Sequence, residues 1–183
     1  MNAIKVMTVF VLLTGLIAKV HPQSAELQSD LRQKIDAKIK IYEQWSTDSI
    51  IVKAVKTLNA APPSDHKNMT NEQWKSLPLM SSEVRNSINM TLTNYIKRNK
   101  DESVSELFIS AADGSKAAFL SKPTYWNHAG KPKHDQPMVG KIWIGQMEND
   151  ESTGVMAIQI SIPVLDGTTP IGSIVIGFDC SKL

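Results

Sequence analysis

Residues 26–183 read as an α+β domain, a helical half followed by five strands of an antiparallel sheet. Three observations predict it. Glu26 to Asn59 contains no Gly or Pro and repeats apolar residues at three- and four-residue intervals. After Asp101 the apolar period drops to two. The period-two segments are joined largely by short polar turns such as Asp113-Gly114 and Asp166-Gly167.

The chain opens differently. Lys5 precedes thirteen uncharged residues, Val6 to Ala18, and a polar run follows. That is the length of a signal-peptide core, whereas spanning a bilayer takes about 20 apolar residues. Residues 1–25 are therefore expected to be a signal peptide, or an anchor if uncleaved, which places the rest in the periplasm. Of 20 Lys and Arg, Lys5 and Lys19 lie in this segment, leaving 18 bases against 18 acids. A neutral mature chain gives no electrostatic case for nucleic acid.

Next comes the long helix, with Leu27, Leu31, Ile35, Ile39, Tyr42 and Trp45 in one stripe. Unbroken, its 34 residues would span about 51 Å, so part of the stripe would want a partner and a homodimer through this helix is plausible. Ser46-Thr-Asp48 offers a break. The pair Pro62-Pro63 ends the helix. Thr70-Asn-Glu-Gln73 reads as a capping box, and a helix capped by Ser81 or Ser82 carries Val84, Ile88, Leu92, Tyr95 and Ile96 to about Asn99.

Five strands follow, at 104–111, 116–121, 141–147, 155–165 and 171–178. The fourth has one wholly apolar face: Met156, Ile158, Ile160, Ile162 and Val164. Its other face, with Gln159 and Ser161, either lines a pocket or meets solvent.

Between the second and third strands lies KPTYWNHAGKPKHDQP, Lys122 to Pro137. A connection of about twenty residues in a compact sheet is uncommon unless functional. Tyr125 and Trp126 offer flat walls, lysines offer cationic donors, and prolines stiffen the backbone. Trp143 opens the next strand. Such a set suits a small carboxylate-like anion. His128 and His134 complete no metal-ligand pattern and read as surface groups. No nucleophile elbow, acid–base pair or phosphate loop points to catalysis, and no cofactor is implied. The single cysteine, Cys180, excludes an intrachain disulfide and reads as a small packed side chain.

In order, ELFISAADG (106–114), the Trp-containing loop, ESTG (151–154), QISIPVLDG (159–167) and PIGSIVIG (170–177) resemble the extracytoplasmic Cache sensor domain, the PAS-like PDC fold, in its single-module form. The resemblance covers residues 26–183 and is most specific in the last two strands. It implies a PAS-like five-stranded antiparallel sheet with the long helix packed on one face. A ligand pocket would lie on the other face, under the crowded connection. By position, Tyr125, Trp126, Lys133, Trp143 and Gln159 become candidate ligand contacts, with Lys122 and Asp135 behind them. The arginine-rich aromatic motif of amino-acid-binding double-module members is missing, which argues against an amino-acid ligand. Such domains usually belong to receptors, whereas here Leu183 follows directly on the last strand. The expectation is therefore a bacterial periplasmic binding protein, without its own output domain, that signals through a membrane receptor, kinase or cyclase. An assembly module acting through the helix stripe is the alternative.

Overall fold

A computed structural model describes residues 22–149 and 154–183. The signal segment and the ESTG turn fall wholly or largely outside the described residues.

Helix α1, Pro22–Tyr42, runs through a 3-10 turn, Glu43–Thr47, into α2, Ser49–Ala60. The expected single helix is broken where its sequence offered a cap. The Asp48 carboxylate accepts the Ile50 and Ile51 amides at 2.9 and 3.2 Å and the Tyr95 hydroxyl at 2.6 Å. Capping is worth about 1 kcal/mol and fixes the corner at which the chain turns. The bond to Asp48 pushes the Tyr95 hydroxyl up to about 12.

Three short helices follow: α3, Ser64–Asn68; α4, Asn71–Ser76; and α5, Ser82–Asn86. The capping box of α4 forms as expected between Thr70 and Gln73. The helix expected from Ser81 to Asn99 is interrupted. The first part ends at Asn86 with Ser87 as its C-cap; Asn89 then caps α6, Met90–Asn99, through the Leu92 amide, and gives its own N–H to Ala117 at the sheet.

Strands β1, Val104–Ala111; β2, Lys116–Phe119; β3, Trp143–Asn149; β4, Met156–Asp166; and β5, Thr169–Asp179 form one antiparallel sheet in the order β2-β1-β5-β4-β3. This is the α+β architecture expected, and period two sorts its residues to two faces. On the first, Ile158, Ile160, Ile162 and Val164 of β4 join Ile174, Ile176, Leu107 and Ile109. Ile35, Ile39, Tyr42, Trp45, Ile51, Val55, Leu92 and Ile96 cover them. The stripe of α1 is thus spent on the domain's own core from Ile35 onward. Tyr42 adds a polar tie, donating to the Asp101 carboxylate and accepting the Asp101 amide, both at 3.1 Å.

The second face is covered by the connection between β2 and β3. It contains a seventh helix, α7, Pro132–Met138, which packs on β3, β4 and β5. Beside it Trp74, Trp126, Phe108, Phe119, Val84 and Val175 form a separate aromatic core that fastens the short helices to the sheet. Among the described residues, no helix is long and apolar enough to cross a membrane.

Candidate ligand-binding site

Cross-strand register places polar side chains in rows on the second face. Glu106 pairs with Gly177, and Gly177 pairs with Gln159. Ser110 pairs with Ser173, and on its other side with Lys116. A cavity of about 370 Å³ opens above the first row. Its floor is Ser105, Glu106, Ala157, Gln159 and Gly177, and its walls include Trp143, Tyr125, His128 and Lys133.

Two glycines shape that floor. A Cβ on Gly145 would stand 2.8 Å from the Trp143 indole, so the glycine lets the ring fold across its own strand. A Cβ on Gly177 would meet the Glu106 side chain at 3.2 Å, so its absence lowers the floor.

Lys133 Nζ donates to Gln159 Oε1 at 2.6 Å, and Gln159 Nε2 donates to the Glu106 carboxylate at 2.6 Å. Gln159 therefore sits between a cation and an anion and is oriented by both. The backbone under Lys133 is held too. Its carbonyl accepts Ser161 Oγ at 2.5 Å, and the next residue, His134, is buried. His134 Nε2 lies 3.3 Å from the Ala112 carbonyl, so it carries the proton there, and Nδ1 accepts from Ser173 Oγ at 2.8 Å. Burial holds His134 below the usual imidazole range.

The opposite wall is built on the β1–β2 turn. Gly114 has φ +86°, and a Cβ there would lie 2.4 Å from the Ala129 nitrogen, so turn and connection touch backbone to backbone. Asn127 spans them, donating to the Asp113 carbonyl at 2.9 Å and accepting the Ala129 amide at 2.7 Å. This brings His128 over Phe108, ring on ring at 4.8 Å.

Behind His128 lies Lys116, which is 0% exposed. Its Nζ is 2.6 Å from His128 Nδ1 and also bonds Ser110 Oγ and the Gly114 carbonyl, at 3.2 and 3.3 Å. Two full charges at 2.6 Å would repel by about 6 kcal/mol even at an effective dielectric of about 20. The two bases cannot both be charged. Burial drives Lys116 well below the usual lysine range, helped by Lys133, and drives His128 down in the same way, helped by Lys116.

Of the seven sequence candidates, Tyr125, Lys133, Trp143, Gln159 and Lys122 line the cavity. Lys122 sends its ammonium elsewhere, to the Leu77 carbonyl at 3.0 Å and over the Trp74 ring at 5.0 Å. Trp126 is a correction. It is 1% exposed, lies 5.0 Å from the Trp74 ring, donates Nε1 to the His66 carbonyl and does not reach this cavity. Asp135 is a second correction. It is exposed on α7, and its carboxylate accepts the Gly130 amide at 3.0 Å. The two histidines read as surface groups are instead 4% and 2% exposed.

Sequence reading missed Glu106, His128 and Lys116. For Glu106 a signal was present: an acid at the same alternating position of its strand as Phe108 and Ser110, opposite the face of Leu107 and Ile109. Lys116 is likewise a lone cation heading the run Lys-Ala-Ala-Phe-Leu. Among the described residues, no cluster of His, Cys, Asp and Glu could hold a metal ion.

No protein-family profile matches the sequence, and no curated protein matches it either. Similar solved structures include sensor and ligand-binding domains of histidine kinases and chemoreceptors. The sensor domain of the V. cholerae histidine kinase DctB is 16% identical, with TM-score 0.48, over 87% of this chain and 56% of that one. The ligand-binding domain of the Pseudomonas aeruginosa PAO1 amino-acid chemoreceptor PctC, in complex with GABA, is 9% identical with TM-score 0.48, over 88% and 60%. The sensory domain of the Campylobacter jejuni chemoreceptor Tlp3, with isoleucine bound, is 12% identical with TM-score 0.39, over 89% and 65%. The chain thus spans between about half and two-thirds of the length of these domains. At such distances the functional reading rests on the cavity itself.

Proposed function

We propose that residues 26–183 form a periplasmic, non-enzymatic sensor domain that binds a small organic anion and passes its occupancy to a membrane receptor, kinase or cyclase. The cavity carries this reading. It lies between the sheet and the long β2–β3 connection, has room for a small metabolite, and is walled by Lys133, His128, Tyr125 and Trp143. A carboxylate entering there takes the Lys133 ammonium as its charged donor and releases Gln159 Oε1 from it. Because Lys133 stands on α7, and Ser161 and Ser173 tie that helix to β4 and β5, occupancy is felt by the helix and both strands together. The signal then has a path through the sheet to α1 on the far face, where the partner reads it.

A thermal-shift panel of mono- and dicarboxylates on the purified domain tests this. At least one should raise the melting temperature, since ligand at 100 times its Kd adds about 2.7 kcal/mol. Lys133→Ala should weaken that ligand by about 10- to 100-fold, the worth of a hydrogen bond to a charged group. No shift by any carboxylate, or the same shift in the variant, would sink the proposal.

A further inference from the structure

Lys116 is itself out of a ligand's reach, yet its partner His128 forms part of the cavity wall. The other polar partners of its Nζ are a hydroxyl and a carbonyl. Neither is a carboxylate, so a charge on this pair of bases has no counter-ion in contact. Phe108 closes the site from β1, with its ring centroid 4.7 Å from Nζ.

The charged surroundings are mixed. Glu106 of β1 and Asp113 of the β1–β2 turn favour a proton on the pair, whereas Lys133 and His134 of α7 and Lys131 of the connection oppose it. Tyr125 adds only a ring edge, 6.0 Å from His128. Glu106 lies on the cavity floor but is not bonded to either base, so the pair lacks a negative charge in contact with the imidazole. A bound carboxylate would supply it.

We propose that the cavity takes up its carboxylate together with a proton, which is held by the Lys116–His128 pair behind the wall. The inference rests on the carboxylate reading of the cavity and adds its regulation. The empty site is poised without charge on the pair, and anion and proton enter as one neutral unit. Two consequences follow for recognition. Binding strengthens as pH falls, and a neutral isostere of the same shape draws no proton and gains nothing. Nδ1 of His128 faces Lys116, so the ring can pass the influence of a ligand at the cavity to a lysine that never meets it.

The experiment is an NMR pH titration of the ¹⁵N-labelled domain, following the His128 ring nitrogens and Lys116 Nζ. It compares acetate, acetamide and chloride at one ionic strength, so that screening is equal. Acetate should raise the pair's protonation midpoint by about one pH unit, equivalent to a tenfold tighter site on the acid side of that midpoint. Acetamide should leave it in place. In Lys116→Met the lysine titration is gone, and acetate affinity should be flat between about pH 7 and 9, where a buried imidazole alone stays neutral. Acetate that moves the Gln159 and Gly177 resonances while the midpoint stays fixed overturns proton uptake and leaves the carboxylate site standing. The same follows if acetamide shifts the midpoint equally, or if Lys116→Met keeps the pH dependence. Acetate that moves no cavity resonance at any pH overturns the site itself and the proton uptake with it. Should Lys116→Met fail to fold, the wild-type titration decides alone.

Discussion

Alternate residues of the same strands build two unlike surfaces. On the helical face Ile158, Ile160, Ile162 and Ile176 meet Ile35, Ile39 and Val55, and the packing is aliphatic or aromatic apart from the Tyr42–Asp101 tie. On the connection face Gln159, Ser161, Ser173 and Glu106 meet Lys133, His134 and His128, and nearly every contact is a directed hydrogen bond. The first face gains stability from area removed from water, which is indifferent to pH. The second buries bases that would rather be charged in water, and so gives up stability for a shaped, polar and titratable site. The sheet is apolar on one side and polar on the other.

The largest effects should come from removing the anchor of each side. Trp126→Ala empties the aromatic core under the connection and should cost about 3–5 kcal/mol; Ile35→Ala, on the helical face, should cost about 2–5 kcal/mol. Urea unfolding measures both. The comparison predicts that Trp126→Ala also loosens the cavity wall, seen as faster amide exchange from Tyr125 to Ala129, while Ile35→Ala leaves that exchange pattern in place. Equal loosening by both would mean that the two faces do not act separately.

A middle-sized effect concerns pH. Lys116, His128 and His134 all have folded pKa values below their unfolded ones, chiefly through burial. Between the two values the unfolded chain binds more protons, so stability rises with pH there, by up to about 1.4 kcal/mol per pH unit for each group. For the histidines the penalty is absent above their unfolded value near 6.5 and grows as pH falls below it. For Lys116 it is absent above the unfolded value near 10.4 and grows as pH falls toward the depressed folded value. Wild-type stability should therefore climb as pH rises from the depressed folded value of Lys116 toward about 10, and Lys116→Met should flatten that climb. An unchanged slope would show that Lys116 keeps its charge in the fold, which would erase the contrast between the faces at its most buried point.

These contrasts were unevenly legible in the sequence. The apolar face of β4 follows from Ile158, Ile160, Ile162 and Val164 alone, because burial on one side of a strand repeats every second residue. The bounds of β1 and the capping box at Thr70 were equally local. The break at Asn89 was not, because Asn89 gives its N–H to Ala117, a residue of β2. Trp126 and Tyr125 are neighbours of similar character, yet one fills a core and the other lines a cavity. Irregular backbone has no period, so only the helices packed against the connection decide which ring turns inward. Lys116 was hidden for a different reason. A lysine at the head of a short strand ordinarily faces water, and only the folding of His128 over Phe108 covers it.

The smallest expected effect is the sharpest on geometry. Lys133 and Asp135 stand two residues apart in the connection, and the sequence offered both as ligand contacts. In a helix two residues turn through about 200°, so side chains so placed point to opposite sides. In α7 Lys133 faces Gln159 and the cavity, whereas Asp135 faces back to the Gly130 amide. Asp135→Ala should therefore change stability by no more than about 0.5 kcal/mol, as for an exposed position with one local bond. It should leave carboxylate affinity within about twofold of wild type, where loss of the Lys133 ammonium costs about tenfold or more. Calorimetric titration of the two variants side by side reads the difference. A deep loss of affinity in Asp135→Ala would place the ligand outside the sheet cavity, on the exposed side of α7, and would make the polar face of the sheet a support for the site rather than the site itself.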